Sequence, residues 1–98
     1  MGFVQIVEFK TNKIDEIRKN VNDFRAATKG KRTVTRVTVT ADRDNPGRHF
    51  VIAEFPSYEE AMKNSELPET KEFAAKQQEL SDGPRTFYNL DVIEVQEG

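Results

Sequence analysis

His49 is the only histidine of this 98-residue chain, and histidine is the natural proton carrier near neutral pH. It sits between the turn-like stretch DRDNPG and an apolar run, where a surface or interface position is the alternative to catalysis. Asn64 stands at the end of SYEEAMKN. Its amide could orient a ligand carbonyl or phenol, although asparagine also closes helices well. These two are the candidate catalytic residues. Tyr58 and Tyr88 each join a ring to a hydroxyl, which suits a pocket wall or a core edge. They are candidates for substrate binding. Glu8, Glu54 and Glu94 share one strand parity near strand ends, and carboxylates in unlike environments can divide acid and base roles. Three rim residues in water is the other reading. A metal centre is not expected, because one histidine and no cysteine do not make a ligand set. There is no Gly-rich phosphate loop, no nucleophile elbow and no aromatic RNA-binding strand pattern.

The chain that must position these groups has the size of one domain, 1–98. That length buries enough surface for one modest core without staples. The absence of cysteine excludes disulfides and thiolate chemistry and fits a cytoplasmic home. No signal peptide or membrane-length apolar run is present, so no membrane partner is expected. Net charge is −2, against a dedicated nucleic-acid binder. The charge is uneven. Residues 1–50 hold 11 basic and 6 acidic residues, and residues 51–98 hold 4 and 11. The basic KGKR at 29–32 follows a helix pattern, where it matches the helix dipole.

The elements follow from pattern. FVQIVEF (3–9) reads as a strand. Ile14, Ile17, Val21, Phe24 and Thr28 recur at helical spacing, with Asn12 as cap and Gly30 as stop. TVTRVTVTA (33–41) alternates at period two, and RHFVIAEF (48–55) returns after the turn. Pairing Ala41 with Arg48 sets the expected hairpin register. Ser57 opens a capping box, SYEE. Pro68 belongs in the first turn of a helix, so the helix from Ser57 breaks near Asn64 and a second runs from Leu67 or Pro68 to about Leu80. RTFYNLDVIEV (85–95) is the last strand. The order β-α-β-β-α-β predicts an α+β, ferredoxin-like fold: a four-stranded antiparallel sheet with helices on one face. Val4, Ile6, Val37, Val39, Phe50, Ile52, Tyr88, Leu90 and Val92 are expected under the helices. The opposite face would carry Phe3, Gln5, Val7, Phe9, Thr38, Val51, Ala53, Phe87, Asn89, Asp91 and Ile93. That mixed face predicts a homodimer interface, with Gln5, Arg36, Asn89 and Asp91 as its polar members and an Arg36–Asp91 pair within or across the dimer.

The element order, the length and the segment FPSYEEAMKNSELPETKEF resemble the dimeric α/β-barrel superfamily, and more narrowly its antibiotic-biosynthesis-monooxygenase-type domains. A strand ending in an aromatic, a Ser-capped helix with Ala61 at its fifth position, a break and a short helix carrying Phe73 make up the likeness. It covers nearly the whole chain. The resemblance implies a homodimer and a ligand pocket between helices and sheet, with Tyr58, Tyr88, Phe73 and Gln77 on its walls. Relatives commonly carry histidine at the break, where this chain has Asn64. Those that oxidise polyphenols without a cofactor are associated with Asn, Trp, Tyr and Arg side chains. Haem-degrading relatives use a histidine on the second helix piece, where this chain offers Lys76 and Gln77, and it has no tryptophan. The resemblance thus implies a cofactor-independent oxygenase for an aromatic or polyphenolic molecule, with no cofactor, or a non-catalytic binding or interaction module of the same fold.

Overall fold

The computed structural model describes residues 2–98. The elements run β1 (Phe3–Lys10), α1 (Ile14–Ala27), β2 (Arg36–Ala41), β3 (Arg48–Phe55), α2 (Tyr58–Ser65), α3 (Pro68–Leu80) and β4 (Thr86–Asp91). The strands form one antiparallel sheet in the order β2-β3-β1-β4, and the helices lie on one face. This is the ferredoxin-like βαββαβ plan, with its second helix in two pieces.

Each helix begins for a local reason. Before α1, Thr11 rather than Asn12 does the bracing. Its hydroxyl oxygen accepts from Lys13 N (2.9 Å), and its O–H donates to Leu80 O (2.7 Å), which pins the start of α1 to the end of α3. Ser57 caps α2 as expected, accepting from Glu60 N at 3.1 Å. Pro68 occupies the first turn of α3, where its missing N–H costs nothing.

The core has two parts. Phe9, Ile17, Val51 and Leu80 are buried together, with Val7, Ile14, Val37 and Val39 against them. Phe3, Phe55 and Ala61 form the other part, with Val34, Ala53 and Met62. The side of β1 carrying Phe3, Val7 and Phe9 therefore faces the helices. This corrects the expected faces for β1, β3 and β4, which are exchanged, whereas Val37 and Val39 of β2 do face the helices. The cause is one residue of hairpin register. Ala41 pairs with His49, not Arg48, so Val39 meets Val51 and Val37 meets Ala53. A single-residue slip turns every side chain of the partner strand to the other face.

The open face then carries Val4, Ile6, Phe50, Ile52, Tyr88 and Leu90. Leu90 is 45% exposed and Tyr88 40%. Past Asp91 the chain continues only one more ladder bond, Val92 N to Gly2 O at 2.9 Å. Ile93 and Val95 beyond it are exposed.

Candidate functional site

Polar atoms buried without partners are rare in folded proteins, and each asks for an explanation. Among the described residues α3 carries three: Glu69 Oε1, Thr70 Oγ1 and Gln77 Nε2. Glu69 is accounted for through its other oxygen, which pairs with Lys31. Gln77 is 2% exposed. Its Oε1 accepts from Arg85 Nη1 at 2.8 Å, which fixes the amide orientation because guanidinium only donates. Its Nε2 is left facing no acceptor.

Arg85 sits just before β4 and reaches back to α3. Nη1 also donates to Ala74 O (3.2 Å), and Nε donates to Gln78 Oε1 (3.1 Å). All three acceptors are neutral. Burial pushes the guanidinium below its ordinary pKa, since nothing nearby compensates its charge. The group lies over the Phe87 ring, 4.9 Å from its centre.

Strand alternation puts Phe87, Asn89 and Asp91 on the same side of β4, opposite Val7, Gln5 and Phe3 of β1. Val7 and Phe3 are core residues, so this is the helix side. Yet Phe87, Asn89 and Asp91 are all exposed. The helices do not cover β4, and a strip of sheet beside α3 stays open. Gln5 Nε2 donates to Asn89 Oδ1 at 3.0 Å in its middle. Tyr58 sits edge-on, at 5.4 Å, to Phe3, the residue that Asp91 faces across the ladder. The strip thus offers an aromatic ring, a carboxamide pair and a guanidinium with a buried amide at one end.

The sequence-derived candidates divide around it. Gln77 and Tyr58 belong to the strip, as do Gln5, Asn89 and Asp91, which were expected on the opposite face. Tyr88 lies on the open face, donating to Glu8 Oε1 at 2.8 Å. Phe73 packs on Phe24, with ring centres 5.2 Å apart, in the seam of α1 and α3. That seam is a groove of about 720 Å³, lined by Phe24, Phe73 and alanines together with charged side chains of both helices. The four expected substrate-binding residues therefore do not share a pocket.

Asn64 is buried, and its Oδ1 accepts from Thr33 N at 3.1 Å. His49 is buried too, stacked on Phe9 with Nδ1 3.1 Å from Thr40 O. Asn64 lies on α2 against the lead into β2, and His49 lies at the start of β3 against the end of β2, each tied to the backbone by its own bond. Arg36 lies on the open face at 3.7 Å from Glu54. Arg36 and Asp91 are on opposite edges and opposite faces of the sheet, so no such pair forms within the chain.

The sequence reading missed Arg85. Its signal was present: a lone basic residue leading an aromatic-rich strand, in the acidic half of the chain. On the open face, Glu8 gathers Tyr88, Arg48 Nε (2.9 Å) and, through Arg48 Nη1, Asp42 (3.3 Å). The Tyr88 hydroxyl and then Arg48 hold the Glu8 carboxyl below the usual range, and Glu8 in turn raises the Tyr88 phenol.

No protein-family model matches the sequence, and no curated protein matches it either. Solved structures do. SnoaB, a cofactor-independent oxygenase from Streptomyces nogalater, crystallised with one asparagine replaced by alanine, superposes with a TM-score of 0.79 at 14% identity, over 96% of this chain and 95% of that one. A candidate antibiotic biosynthesis monooxygenase from Caulobacter crescentus CB15 reaches 0.79 at 18% identity, over 95% and 91%. The chain has the antibiotic-biosynthesis-monooxygenase-like fold. Rv0793 from Mycobacterium tuberculosis shares this fold with a TM-score of 0.77 at 13% identity, over 99% of this chain and all of its own. At such identities the likeness is one of fold, and the fold does not name a reaction. No helix among the described residues is long and apolar enough to cross a membrane.

Proposed function

We propose that this protein binds a small aromatic molecule on the strip between α3 and β4 and acts on it as a cofactor-independent oxygenase. The observation that carries this is the uncovered helix side of β4, where Phe87 and the Gln5–Asn89 pair lie beside the Arg85 guanidinium that Gln77 holds. Phe87 supplies a stacking surface. The Arg85 guanidinium, held in advance at one end, anchors a negatively charged group of the ligand and fixes the ring beside it. Arg85 and Gln77 take the site roles here; Asn64 and His49 serve the fold. The likeness to SnoaB supports the oxygenase reading.

The working unit is a homodimer, with two copies meeting through the open sheet face. Val4, Ile6, Phe50, Ile52 and Leu90 form an apolar patch there that a monomer leaves wet. A cysteine-free chain of this size suits the cytoplasm. A second reading, a non-catalytic binding module on the same fold, is favoured by one observation: both polar residues expected to catalyse are buried and engaged in bonds to the backbone.

An amide-shift titration with anthrone-like polyphenols, flavonoid-like polyphenols and aromatic acids tests the proposal, run beside oxygen-uptake assays. Saturable shifts on Gln5, Gln77, Phe87 and Asn89 with oxygen consumption support the enzyme. The same shifts without uptake support the binding module. Shifts confined to the α1–α3 groove would refute the strip as the site.

A further inference from the structure

The donor end of the strip holds a charge that the chain does not balance. Arg85 takes part in no ion pair among the described residues. Its three bonds, all to neutral oxygens, use Nε and Nη1. None uses Nη2. Directly against it, the Gln77 amide keeps Nε2 sealed from solvent and unpaired. One helical repeat of seven residues earlier on α3, Thr70 Oγ1 is also buried and unpaired. Thr70, Ala74 and Gln77 recur at helical spacing and so share one side of α3. A half-buried guanidinium without a carboxylate and a buried amide N–H without an acceptor both cost free energy. Of the two, the guanidinium is the one within reach of solvent, and it calls for an oxygen acceptor that carries negative charge.

We infer that the ligand of this site is an aromatic carboxylate, its acid group received by the free Nη2 edge of Arg85, which Gln77 Oε1 holds from behind, and its ring laid against Phe87. The inference rests on the strip being the ligand site, as proposed above, and names the chemical class it takes. Guanidinium matches carboxylate in plane and in spacing, and such bonds are stronger than those between neutral groups. Phe87 is half-exposed beneath the guanidinium, placed to take a ring attached to the acid. The carboxamide pair of Gln5 and Asn89 lies one alternation further along β4, within reach of a ring substituent. The strip's own carboxylate, Asp91, lies six residues from Arg85, at the far end.

The probes are 2-naphthoate and its methyl ester, titrated into the intact protein and followed by amide shifts. The acid is expected to shift Gln77, Arg85 and Phe87 and to bind roughly 10- to 100-fold more tightly than the ester, the range for a bond to a charged group. Arg85→Met should erase that preference, and Arg85→Lys should keep part of it. Gln77→Glu places a carboxylate against Arg85 within the chain. It should raise the melting temperature while abolishing binding of the acid, because Arg85 is then already paired. Acid and ester binding the strip equally, with Arg85→Met without effect, would overturn the carboxylate inference and leave the proposed site standing. If neither probe shifts the strip in the folded wild-type protein, both the inference and the strip as ligand site fail.

Discussion

Asn64→Ala separates a catalytic asparagine from a structural one. The side chain is 5% exposed, and its Oδ1 is the acceptor for Thr33 N at 3.1 Å. The Thr33 hydroxyl donates to Glu60 O, so Thr33 ties the lead into β2 to α2 twice. Truncation leaves the Thr33 N–H without its acceptor in a partly buried place. That costs about 1–3 kcal/mol. In a domain of this size each kcal/mol moves the melting temperature by about 4–8 °C, so the central expectation is a fall of roughly 8–16 °C. Asn64→Asp keeps an acceptor oxygen and should recover most of the loss. Asn64→Leu keeps volume without an acceptor and should not. Calorimetric melts of the three variants, with ligand shifts measured well below the transitions, make the test. An Asn64→Ala protein that melts within about 2 °C of wild type but loses ligand binding or turnover would refute the structural assignment.

Two further outcomes follow from the open face. Leu90→Asp sets a charge in the middle of the patch proposed to join two copies. An unpaired charge buried there costs about 3 kcal/mol or more, so the dimer Kd should rise roughly a hundredfold in sedimentation equilibrium, with the dilute monomer still folded. An unchanged Kd would remove this face as the interface. Glu8 has a lowered pKa in the folded protein, so it binds its proton less readily there than in the unfolded chain. Its contribution is complete above the ordinary carboxylate range and fades as pH falls through that range and below it. Glu8→Gln should therefore flatten the melting temperature against pH between about pH 3 and pH 6, and a curve parallel to wild type would show that the network adds nothing.

The fold was legible because its punctuation is local. Pro68 breaks the second helix wherever it packs, Ser57 caps α2 by itself, and Ile17, Val21 and Phe24 form a stripe at any orientation. The faces of the sheet were not, because β1 reads FVQIVEF, with apolar residues at both parities. Only the hairpin register could choose between them. That register is set at the turn: Asp42 Oδ1 accepts from Asp44 N (2.9 Å), Asp42 N donates to Arg48 O (2.9 Å), and Arg48 N donates to Asn45 O (3.1 Å). Arg48 thereby closes the turn and leaves His49 to face Ala41. A loop of six residues allows several such closures, and the pattern VTVTA fits them equally.

The same slip explains why the site was misread. With Val37 and Val39 kept toward the helices, moving the register by one turns β3 over, and β1 and β4 turn with it through their pairing. Phe87, Asn89 and Gln5 then pass from a supposed interface to the helix side, and Tyr88 passes from a supposed pocket to the open face. The polar interruptions in β1 and β4 were correctly seen as needing a reason. The reason lies in which element fails to cover them: α3 is tied to the start of β4 by Arg85, whose guanidinium spans from the strand to Ala74, Gln77 and Gln78. One long side chain thus does what helix packing does elsewhere on the sheet, and it brings an unbalanced charge to the place where the sheet is bare. A ligand that neutralises that charge would complete both the packing and the electrostatics of this corner, which is why binding there should stabilise the fold as well as occupy the site.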